Sequence, residues 1–182
     1  MTALLTRYRG LTGPLDRADW LLTTLARLMF AAILLMYFWV SGLTKLGEGV
    51  MGIFAPSTGA YVQIFPRMME AVGYDATQFG LLSKLFVLAG TWAEFILPAL
   101  IVLGLFTRLA ALGMIGFVAL QSLTDLYGHG GWDDPKVLGG WFDRFPDGII
   151  MDQRALWVFL LLVLVIKGAG PLSFDRALAP RA

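Results

Sequence analysis

Glu94 is the residue through which this chain could do chemistry. It is the only charged residue in the run Leu85 to Phe106, which is long enough to cross a bilayer at 1.5 Å per helical residue. A carboxylate at that depth costs several kcal/mol unless it is neutral, paired or hydrated, so it marks a functional site by default. Pro98 follows four residues later. Proline has no N–H, so the Glu94 carbonyl loses its helical partner and a kink is expected there. A carboxyl beside a freed carbonyl makes a polar notch suited to a proton, a cation, or the hydroxyl or carbonyl of a quinone-like ligand. The alternative is a structural hydrogen bond between helices.

Depth arithmetic selects the expected neighbours of Glu94. It lies nine residues inside its segment, roughly 14 Å deep, and Tyr37 lies eight residues below Lys45, roughly 12 Å deep. Ser41 is shallower, and Gln121 lies in the outer half of the third segment. The same arithmetic leaves Lys45 and Arg27 each more than about 10 Å from Glu94. It therefore predicts Tyr37, Ser41 or Gln121 as partners ahead of a salt bridge. Without a counter-charge, burial would favour protonated Glu94. Arg27 and Lys45 are separated by 18 residues, five helical turns, which predicts one shared face with Phe38 and Ser41 beside it. Such a face points into a bundle, or else its ends are snorkelling anchors.

Asp125, His129 and Asp133 are weak candidates for a hard metal site, because their spacing matches no zinc motif; a solvated loop is the simpler reading. The absence of cysteine excludes disulfides, thiol redox chemistry and iron–sulfur ligation, and a lone His excludes bis-histidine haem within one chain. No phosphate loop, dinucleotide fingerprint or Ser–His–Asp arrangement is present. Glycines such as Gly90, Gly104, Gly113 and Gly116 suit close helix packing.

These residues are carried by membrane elements. Hydrophobic residues make up 58% and charged residues 15% of the 182, with mean hydropathy +0.72, against roughly 25% charged in soluble domains. Four apolar segments stand out, at about 25–43, 85–106, 109–126 and 155–168. Only helices satisfy their own backbone in lipid, so the expected fold is an all-α integral membrane four-helix bundle, one domain over 1–182. Thr107 and Arg108 read as a short turn between antiparallel neighbours. The long connections, 47–83 and 127–154, are expected to face outward, the first with a short interfacial or re-entrant piece. The first twenty residues predict no cleaved leader.

With four spans, both termini share a side with the 107–108 turn. That side carries eight Lys and Arg against three acids, and the other six against nine, which predicts cytoplasmic termini. A net charge of +1 with scattered basic residues gives no nucleic-acid surface.

Three stretches together carry a family resemblance. They are Ser41-Gly42-Leu43-Thr44-Lys45; Trp92-Ala93-Glu94 with Gly104-Leu105-Phe106-Thr107-Arg108; and Gly168-Ala169-Gly170-Pro171-Leu172-Ser173-Phe174-Asp175. Over roughly Leu25 to Asp175 the chain resembles the DoxX family of small bacterial four-helix membrane proteins, named from a subunit of an archaeal thiosulfate:quinone oxidoreductase. The resemblance implies a bundle with a polar centre carried by Arg27, Lys45, Glu94 and Arg108. It also implies association with redox, sulfur-stress or metal-stress complexes, and it fixes no reaction.

Three functions follow as expectations. One is a redox-associated inner-membrane subunit binding a quinone near Glu94, Tyr37 and Trp92, its electrons supplied by partners. Another is a non-catalytic anchor that recruits a protein through the 127–154 loop. The third, a small transporter, is supported only by Pro98.

Overall fold

The computed structural model describes residues 2–16 and 18–179, so Arg17 and Arg181, counted above, lie outside the described residues. The described chain is all helix, turn and loop. Helix α1 spans Thr2–Asp16, a helix the sequence reading missed. Among the described residues, four helices are long and apolar enough to cross a membrane: α2 (Asp19–Lys45), α5 (Leu81–Leu103), α6 (Thr107–Gly128) and α8 (Ile149–Lys167). Shorter helices lie between and after them: α3 (Thr58–Ile64), α4 (Pro66–Ala71), α7 (Pro135–Leu138) and α9 (Phe174–Leu178).

The spans form a ring in which α2 and α6 each pack between α5 and α8. The centre is filled by Phe30, Leu34 and Phe38 of α2, Ile101 of α5, Met114 and Val118 of α6, and Leu161 and Leu164 of α8. Ala26, Phe30, Leu34 and Phe38 recur every four residues, a spacing that drifts about 40° per turn in a 3.6-residue helix. A wide π turn at Ala31–Leu35 takes up that excess and keeps the series inward.

Helix ends differ from the sequence expectation in informative ways. α5 stops at Gly104, whose φ of +69° is a left-handed cap. The connection to α6 is therefore Gly104–Phe106, three residues before the expected Thr107–Arg108 turn, hidden because Leu105 and Phe106 are apolar. A Cβ at Gly104 would also lie 2.6 Å from Ser173 and 2.8 Å from the Arg27 guanidinium carbon. α8 begins six residues before the expected Ala155, through a π turn at Ile149–Arg154. That turn buries Arg154 (4% exposed). Arg154 bonds Asp125 at 2.6 Å and the Ser122 hydroxyl at 3.1 Å.

The 46–80 connection is packed. Ala60, Tyr61, Met69, Phe79 and Val87 form a second core. Phe65 stacks on Phe79 at 5.8 Å and on Phe86 of α5 at 5.6 Å. Ser57 caps α3, and Pro66 opens α4 where its missing N–H costs nothing. This short helical pair is the predicted extra piece, and it roofs one end of the bundle.

Candidate functional site

Lys45 closes α2 and is 6% exposed; Glu94, on α5, is 2% exposed. Lys45 Nζ donates to Glu94 Oε1 at 2.9 Å, to Oε2 at 3.0 Å and to Ser41 Oγ at 2.7 Å. Ser41 Oγ in turn donates to Glu94 Oε1 at 3.1 Å. The expected Ser41 contact is present. The expected lack of a cation is overturned: Glu94 has a direct ion pair, so its burial does not go uncompensated.

The error came from aligning the helix ends. A Cβ at Gly42 would lie 2.7 Å from the Phe95 ring, so residue 42 faces residue 95. Glu94 stands 13 residues after Leu81, about 20 Å along α5. Ser41 stands only four residues before Lys45, about 6 Å. α5 therefore overshoots α2 by roughly three turns, and the roof fills the space beyond α2. Extending inward, Lys45 reaches Glu94 with ease. Its charge also lies at a helix C-terminus, where the dipole favours it.

The pair lies on the wall of a cleft of about 1220 Å³. Small residues open it: Ala89, Gly90 and Ala93 on α5, Gly113, Gly116 and Ala119 on α6. Phe86, Phe117 and Leu120 make the walls apolar, and the roof segment Gln63–Met68 covers it. Leu97 comes within 3.2 Å of where a Gly113 Cβ would sit, which brings the two helices together at that level.

Gln121 lines the cleft as well. Its Nε2 donates to the Tyr37 hydroxyl at 2.9 Å, while its Oε1 is buried without a partner. Tyr37 thus sits behind Gln121 and does not bond Glu94. His129 and Asp125 are at the roofed end of the cleft, where His129 Nε2 donates to the Gln63 carbonyl at 3.3 Å and Asp125 is held by Arg154. Among the described residues no three His, Asp or Glu side chains, Asp133 included, gather to hold a metal.

The remaining predicted residues lie elsewhere. Trp92 donates to the Ile53 carbonyl at 2.6 Å and meets Phe54 edge to face, pinning the loop that leads to the roof. Arg27 and Arg108 are at the opposite end of the bundle. Arg27 donates to the carbonyls of Ile101, Val102, Ala169 and Leu172, which joins the end of α5 to the turn after α8. Arg108 donates to the Val165 and Ile166 carbonyls at 2.9 Å each. The implied single polar centre is therefore split between two ends.

Sequence reading missed Asp175, which completes the second end. Its Oδ1 and Oδ2 accept the N–H groups of Phe106 and Thr107 at 2.7 and 2.9 Å, capping α6. Burial acts to raise its pKa. The two N–H bonds and the nearby Arg27 charge outweigh burial and hold the carboxyl below the ordinary value of 3.8. The Ser-Phe-Asp motif beside the glycine-rich turn was the available signal, read only as family pattern.

Chemically, the Lys45–Glu94–Ser41 cluster and Gln121 bring polar side chains to the cleft wall, and the small residues beside them leave room for an apolar body. No curated protein and no solved structure matches the chain. The DoxX family model matches residues 22–124, taking in most of α2, all of α5 and the greater part of α6, with Ser41, Lys45, Glu94 and Gln121. With that model covering more than half of its 182 residues, the chain belongs to the DoxX family.

Proposed function

We propose that the chain is a redox-associated membrane subunit whose cleft binds a quinone-class ligand. One observation carries this reading: an apolar cleft with a buried ion pair on its wall and, among its lining residues, Gln121, whose Oε1 is buried without a partner. A quinol hydroxyl donates to Gln121 Oε1 or to a Glu94 oxygen, and the tail lies along the small residues of α5 and α6. Ligand pockets run about 300–1,000 Å³, so a cleft of about 1220 Å³ holds the ring and the leading part of a tail. No side chain here carries electrons, so the redox partner is another protein. Its membrane is the bacterial inner membrane with both termini cytoplasmic, which reporter fusions at residue 182 and within 139–148 would read as opposite sides.

The test is quinone binding to protein in nanodiscs, followed by fluorescence of a quinone analogue. Gly116 lines the cleft and a Cβ there meets nothing within 4 Å, so Gly116→Trp is the substitution chosen to obstruct it. Binding should be lost in Gly116→Trp and weakened about tenfold in Gln121→Leu, the equivalent of one hydrogen bond to an otherwise unpaired group. Binding that Gly116→Trp leaves untouched would sink the reading.

A second reading, recruitment of a protein through the 127–154 loop, rests on its tip. Trp141, Phe142 and Phe145 are exposed there, and Phe142 holds a strained φ of +66°. The base is closed: a Cβ at Gly148 would lie 2.4 Å from Gly139 Cα. Removing residues 140–147 should abolish co-purification of a partner and leave the spans folded. Pairing that survives the deletion counts against it.

A further inference from the structure

We infer that α1 is an in-plane helix that binds the anionic headgroup surface of the bilayer beside the terminal end of the bundle. Leu4, Tyr8, Leu11 and Leu15 recur at helical spacing and form one stripe. They are 75%, 64%, 80% and 67% exposed, so the described chain leaves that stripe uncovered. Arg7 and Arg9, the only charged residues between Ala3 and Leu15, leave the helix on either side of the stripe. Glycines 10 and 13 and Pro14 weaken the helix, and one of about 15 residues is marginal in water by itself. An apolar surface is the missing stabilisation.

The tether decides which surface. Ala18 N–H donates to the Leu15 carbonyl, and Ala18 itself is non-helical (φ −88°, ψ 31°). Asp19 then opens α2, with Trp20 exposed in its first turn as an interfacial anchor. α1 is thus hinged within a few residues of the water–lipid boundary. Its apolar stripe faces the acyl region, and its flanking arginines reach lipid phosphates. Zwitterionic lipid offers the stripe the same apolar surface but no net charge to the arginines, so anionic lipid is the favoured occupant.

The native chain lacks cysteine, so single labels can be placed cleanly. Leu11→Cys puts a spin label on the stripe, and Gly13→Cys, where a Cβ meets nothing within 4 Å, puts one on the opposite face. Full-length protein in nanodiscs of phosphatidylcholine, with or without phosphatidylglycerol, is then probed with oxygen and with a water-soluble relaxant. The label at 11 should be oxygen-accessible and the label at 13 water-accessible. Phosphatidylglycerol should raise the embedded population by roughly fivefold per arginine. Arg7→Gln with Arg9→Gln should erase that lipid dependence. Equal water access at both labels overturns the inference, as does embedding that is the same in both lipids. A label at 11 immobilised but shielded from oxygen also overturns it, because a protein surface would then cover the stripe.

Discussion

The two ends of the bundle hold the same kinds of residue for different purposes. At the terminal end, Arg27, Arg108 and Asp175 spend their hydrogen bonds on backbone groups that helix ends leave unpaired. They close a joint between α5, α6 and the turn after α8. At the loop end, Lys45 and Glu94 satisfy each other through side chains and sit on the wall of an open cleft. A charge that caps a helix is fully used by the fold. A charge pair on a cavity wall can be shared with a ligand. Charge within an apolar segment is therefore not enough to identify a site; what its polar atoms already hold decides.

The sharpest way to break this comparison is to remove one member of the buried pair. Lys45→Met should destabilise the protein by about 3–5 kcal/mol, because Glu94 is left buried without its counter-charge, whereas Lys45→Met with Glu94→Leu should recover most of that loss. Thermal unfolding in detergent measures both. A double variant no better than the single one would show that the pair is not an isolated unit.

At the other end, Arg27→Met should cost about 2–3 kcal/mol, since carbonyls of α5 and of the 169–172 turn lose a charged donor. Quinone-analogue binding should be unaffected once the protein is folded. A parallel loss of binding in the folded variant would join the two ends that the structure separates.

A smaller effect is expected at the α6 cap. Asp175→Asn should cost about 1 kcal/mol, by loss of charge at a helix N-terminus. Because the folded carboxyl titrates below its ordinary value of 3.8, its contribution is present above that value and fades as pH falls through the lower folded one. Acid unfolding of the native protein should therefore steepen below about pH 4, and Asp175→Asn should flatten that part of the curve.

The least effect belongs to the exposed pair. Lys167 bonds Asp19 at 3.0 Å with both side chains largely in solvent, 42% and 63% exposed. Lys167→Ala should change stability by less than about 1 kcal/mol, and what change there is should vanish in high salt.

Much of the architecture was legible because apolar length is a local property. The four spans, the antiparallel order and the helical piece in the 46–80 connection follow from runs of apolar residues and turn formers. Their ends were less legible. The π turns at Ala31–Leu35 and Ile149–Arg154 carry no distinct local signal, and the α5–α6 turn is disguised by Leu105 and Phe106. Ser41, Lys45, Glu94 and Gln121 were each singled out from the sequence, and the structure places all four along one cleft. Which of them touch was not legible, because that depends on how far α5 slides past α2.

The sequence by itself determined that this is a helical membrane protein of the DoxX family, with a carboxylate inside its second span. Composition, segment length and short motifs suffice for that, since a continuous apolar run of about 20 residues crosses lipid with its backbone bonded within the segment, as a helix. Tertiary structure alone decided that Lys45 pairs with Glu94, that Arg27 and Arg108 cap helices far from them, and that small residues on α5 and α6 leave a cleft. Those outcomes turn on helix register, and register is set by contacts between residues distant in sequence, such as Gly42 against Phe95 and Leu97 against Gly113.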